Sequence, residues 1–66
     1  MDARIEALSP WQQIVYKLCW TVGAGKKDDQ RVIDASAELN RMAKERPDEY
    51  EAAFEVWTKI MYEVLY

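Results

Sequence analysis

From Tyr50 to Leu65 the apolar residues Tyr50, Ala53, Phe54, Trp57, Ile60, Met61, Val64 and Leu65 recur at steps of one, three or four. That spacing puts them on one stripe of an α-helix, and no strand can hold it. The stripe spans about 16 residues, or roughly 24 Å of helix. A helix that long with so wide an apolar face must bury it against other elements. The rest of the chain has to supply those elements.

It supplies them as two further periodic segments. Trp11, Ile14, Val15, Leu18 and Val22 form a stripe behind a strong helix start. Ser9 is a preferred N-cap, Pro10 suits the first helical position, and Gln12 stands where a capping-box partner belongs. Gly23 is placed to end this helix. Val32, Ala35, Leu39, Met42 and Ala43 form the next stripe, capped by Asp28 or Asp29. Its other face alternates Arg31, Asp34, Glu38, Arg41 and Glu45, as a solvated face does. The last helix opens on a capping box, Asp48 to Glu51, behind Pro47, and Glu55 and Lys59 are spaced for an ion pair. The pattern predicts an all-α fold: a single domain, 1–66, built as a small three-helix bundle with helices at about 10–22, 29–45 and 48–66. Ile5 and Leu8, with Asp2 as a cap, leave room for a short N-terminal helix.

A 66-residue chain buries only about 60% of its unfolded surface, so its core needs support. Cys19 is the single cysteine and there is no histidine, which removes an internal disulfide and a Cys/His zinc site. Tight helix packing and self-association remain. The near-heptad stripe of the last helix points to a homodimer.

Chemistry is hard to place. Gly23-Ala24-Gly25-Lys26-Lys27 superficially resembles a phosphate loop. However, Trp20 stands at the required first glycine, Lys27 replaces the Ser or Thr, and Asp28 replaces the third glycine of a dinucleotide fingerprint. A weak anion site of Lys26, Lys27 and the following helix start is the residual reading. The carboxylate pairs Asp28–Asp29 and Asp48–Glu49 are explained as caps, and Asp34/Glu38 by the charged face. Cys19 has no base beside it and reads as a small buried apolar residue. The expectation is a non-enzyme with no cofactor, no metal and no evident small-molecule substrate. No apolar run reaches the roughly 18 residues of a membrane span, and Asp2, Arg4 and Glu6 do not fit a secretory leader. With a lone cysteine, this suggests a cytoplasmic protein.

The aromatic residues carry the functional expectation. Trp11, Tyr50, Phe54 and Trp57 fall on core stripes, whereas Tyr16, Trp20, Tyr62 and Tyr66 do not, and Val56 joins them as an apolar leftover. Off-stripe aromatics are what protein interfaces enrich. Tyr16, Trp20, Val56, Tyr62 and Tyr66 are therefore the candidate partner-binding residues. The alternative is a small DNA-binding regulator using Lys26, Lys27 and Arg31 with Arg41, Lys44 and Arg46. A net charge of −3 and the acidic start of the last helix oppose it. In size, acidity and lack of a catalytic kit, the chain resembles bacteriophage-encoded or bacterial accessory proteins that bind a host factor. That resemblance implies a small regulator or inhibitor.

Overall fold

Asp2 starts the first helix by accepting a hydrogen bond from the Arg4 backbone N–H at 2.8 Å. The computed structural model describes residues 2–66 and contains, in order, α1 (Ala3–Glu6), α2 (Pro10–Ala24), α3 (Gln30–Glu45) and α4 (Pro47–Leu65). The protein is all-helical among the described residues, in agreement with the periodicity. The expected short N-terminal helix is α1.

Local signals account for most of the boundaries. Ser9 and Gln12 close a reciprocal capping box on α2, with Pro10 behind the cap. Asp29, not Asp28, caps α3 through the Arg31 N–H. Two expectations are corrected. α2 does not stop at Gly23 but runs to Ala24, with Gly25 leaving in an extended conformation at φ −90°. A Cβ on Gly23 would lie 3.0 Å from Trp57 Cζ2, so this glycine serves inside the helix as a contact for α4. The Asp48–Glu51 capping box does not form, because α4 begins one residue earlier, at Pro47. Pro47 forces its predecessor out of helical geometry, so Arg46 alone ends α3 and opens α4. Asp48 thereby falls inside the first turn, where its charge favours the helix dipole instead of capping a backbone N–H.

α2 is the hub, packing on both α3 and α4 more extensively than these pack on each other. The centre is Val15 and Cys19 of α2, Leu39 and Met42 of α3, and Ala53 of α4, flanked by Trp11, Leu18, Val22, Tyr50 and Trp57. Ala53 is fully buried, and its small side chain lets α4 come close to α2 at that point. The Cα extents are 32 × 31 × 15 Å. The thin dimension equals about one interhelical spacing plus two helix radii, so the molecule is two helix layers thick.

α1 is tied down by polar contacts. Gln13 Nε2 donates to Leu8 O at 3.1 Å, and Arg4 donates to both carboxylate oxygens of Glu63 at 2.6 and 2.8 Å. Arg4 also holds Asp2, so one guanidinium links the chain's start to the far end of α4.

Candidate interaction surface

The five sequence-derived candidates fall into separate places. Tyr16 and Trp20, four residues apart on α2, meet edge to face at 6.4 Å and 82°. Trp20 then meets Trp57 of α4 at 5.9 Å and 81°, Trp57 meets Phe54 at 5.6 Å, and Phe54 stacks on Tyr50 at 6.1 Å and 17°. The result is a continuous aromatic ladder from α2 across α4, with Tyr16 and Trp20 half-buried in it. Edge-to-face and offset contacts of this kind favour each other beyond simple burial. Beside the ladder lies an apolar dent of about 100 Å³ lined by Cys19, Val22, Gly23, Leu39, Phe54 and Trp57. Trp57 Nε1 is buried without a hydrogen-bond partner among the described residues.

Tyr62 and Tyr66 form a second set. Their rings lie 5.5 Å apart, and the residues are 57% and 92% exposed. Tyr62 lies about two and a half turns past Ala53, which places it on the face of α4 opposite the core. Val56 belongs to neither set. It is half-buried and points along a flank of α4 well away from Tyr62.

Several exposed apolar residues escaped the sequence reading. Ile14, Ile33, Phe54, Val64 and Leu65 are all about half or more exposed, although all but Ile33 were placed on core stripes. Ile14 neighbours Val15, and the buried line of α2 runs through Val15, on the predicted stripe, and Cys19, beside it, which leaves Ile14 at the stripe's outer edge. Val64 keeps the core-facing register of Ala53 and Ile60, yet it is 67% exposed. α4 is the longest helix, about 28 Å against roughly 22–24 Å for α2 and α3, and its last turn is left exposed.

The charged residues are largely engaged with one another. Arg31 pairs with Asp29, and Arg41 with Glu38 and Glu45, which holds the Asp29 and Glu38 carboxyls below their usual range. Arg46 lies over the Trp11 ring at 5.2 Å and 3.6 Å from Glu49. The arginines of the DNA-binding alternative are thus occupied, which leaves Lys26, Lys27 and Lys44 outside ion pairs among the described residues. Glu55 and Lys59 do not pair, since two exposed flexible chains gain little from doing so.

The anion-site reading of the interhelical loop meets a similar obstacle. An open depression of about 280 Å³ sits there, lined by Thr21, Ala24, Gly25, Asp29, Arg31 and Val32. The Asp29 carboxylate already fills the helix start that an anion would need. Cys19 is buried in the core, and desolvation pushes its thiol up to about 11, so the nucleophilic thiolate is suppressed at neutral pH. Among the described residues no three potential ligands come together for a metal, and no helix is long and apolar enough to cross a membrane. No protein-family model, curated protein or solved structure matches the chain.

Proposed function

We propose that this chain is a non-catalytic, cytoplasmic protein-binding module, a small regulator or inhibitor of the bacteriophage or bacterial accessory type. In this reading it works through the aromatic outward end of α4. The observation that supports it is the concentration of exposed apolar surface there. Tyr62, Val64, Leu65 and Tyr66 are each more than half exposed within five consecutive positions. Apolar surface grouped in this way, on a domain with so little core to spare, has a use outside the protomer.

The reading includes a three-helix-bundle protomer that pairs as a homodimer. Ile14, Ile33 and Phe54 are exposed on other parts of the molecule and are available for that contact. Sedimentation equilibrium across a concentration series tests the dimer, and a constant monomer mass removes it. The binding function is tested by comparing proteins captured on the immobilised chain with those captured on Tyr62→Ala/Tyr66→Ala. Partners held by the first and lost by the second, with unchanged circular dichroism, support the reading. Identical capture by both overturns it.

A further inference from the structure

The outward face of α4 has a second half that the aromatic residues do not use. Asp48, Glu51, Glu55, Thr58, Tyr62 and Tyr66 follow one another at steps of three or four, so they form a single line along the helix. Thr58 is partly covered and the other five are exposed. The line is about 27 Å long and divides lengthwise into a carboxylate half and a tyrosine half. Lys59 stands at its edge, near the junction.

The carboxylates of this line, like Glu6, Asp28 and Asp34, differ from the arginine-paired ones in the molecule. Asp2, Asp29, Glu38, Glu45, Glu49 and Glu63 each sit within ion-pair distance of an arginine. Asp48, Glu51 and Glu55 have no such partner among the described residues. The α4 carboxylates that are paired, Glu49 and Glu63, lie off the outward line.

Charge decides which occupant suits such a face. A second copy laid parallel would set carboxylates against carboxylates. Laid antiparallel, it would set them against tyrosines, whose hydroxyls donate hydrogen bonds but bring no opposite charge. Nucleic acid would be repelled by the acidic half. We infer that the outward face of α4 docks a partner protein segment that is basic along one half and apolar along the other, with Lys or Arg on Asp48, Glu51 and Glu55 and apolar side chains on Tyr62 and Tyr66. This rests on the binding function proposed above and names the chemistry of the partner.

The probe is a synthetic helical peptide of about 18 residues, matched to the length of the face, with Lys on the exposed turns of one half and Leu on the other. Its binding to the full chain is followed by fluorescence anisotropy. A peptide with Glu in place of Lys is the control. The expected result is binding of the Lys peptide alone, weakening steeply between about 0.01 and 1 M salt as screening shortens. Glu51→Gln/Glu55→Gln should weaken it by about tenfold, as the loss of two exposed pairs would. Tyr62→Ala/Tyr66→Ala should abolish it. Equal binding of both peptides, no salt dependence, or no binding of either overturns the inference. So does a dimer in sedimentation that Tyr62→Ala/Tyr66→Ala dissolves, since that would make a second copy the occupant. If captured cellular partners depend on Tyr62 and Tyr66 but not on Glu51 and Glu55, this inference fails and the binding function stands. If they depend on neither, both fail.

Discussion

The middle of α4 and its last turn have the same sequence pattern and opposite fates. Ala53 is fully buried and Ile60 nearly so, while Val64, one turn further along the same stripe, is two-thirds exposed. α4 is longer than α2 or α3, and its last turn is the part left uncovered. Periodicity therefore reports which residues share a face, but a neighbour must be present to cover that face. The middle of α4 is structural, and its end has apolar surface to spare for association.

The strongest way to sharpen this contrast is to remove a side chain from the centre. Met42 is 2% exposed and stands in the core with Val15, Cys19, Leu39 and Ala53. Met42→Ala should cost about 2–5 kcal/mol through lost burial and the cavity left behind. A single core of this size supplies no more than roughly 3–5 kcal/mol. Chemical denaturation should therefore find Met42→Ala largely unfolded at room temperature. A full cooperative transition at the original midpoint would show that the centre does not hold the fold.

Gly25 comes next. A Cβ there would lie 2.2 Å from Val32 Cγ2 and 2.8 Å from the Thr21 carbonyl oxygen. The obstruction includes backbone, so Gly25→Ala must shift the α2–α3 connection, at about 1–3 kcal/mol. The denaturation midpoint should fall clearly. The same substitution at Gly23 meets only the rim of the Trp57 ring and gains helix propensity, so its midpoint should move less than that of Gly25→Ala.

These two glycines show what the sequence could and could not disclose. The long helices, the Ser9–Gln12 box and the α3 core face were legible because each depends on residues within a turn or two. The end of α2 was not. Gly23 stays inside the helix, where its role is a contact with Trp57, which is more than thirty residues away. The missing Asp48 cap has a local cause, since Pro47 at the first helical position moves the start by one. Among the candidate residues, Tyr62 and Tyr66 could be read as outward from their distance to Ala53. Tyr16 and Trp20 could not be read as members of a ladder, because their neighbours Trp57 and Phe54 come from another helix.

At the far end of the comparison, Tyr62→Ala/Tyr66→Ala should leave stability within about 0.5 kcal/mol of the parent, as exposed positions do. Binding should be lost while the melting curve stays in place. A clear drop in melting temperature would mean that the outward end is structural after all, and the contrast within α4 would collapse.

The smallest expected effect concerns the tether between α1 and that same end. Arg4 holds the Asp2 carboxyl down to about 2 and lowers that of Glu63. A carboxyl depressed in the folded state binds its proton more weakly there than in the unfolded chain. Its contribution is therefore present above the ordinary value of 3.8 for Asp2 and lost as pH falls toward about 2. Glu63 is exposed and Asp2 and Arg4 are only partly covered, so the effect on global stability is slight. It should be visible locally. Amide exchange in α1 should quicken as pH drops from about 4 to about 2, once the intrinsic pH dependence of exchange is removed, while amides around Val15 and Met42 keep their protection. Glu63→Gln should show the quicker α1 exchange already at neutral pH. If α1 and the core lose protection together, α1 is part of one cooperative unit, and the two ends of α4 are less independent than their burial suggests.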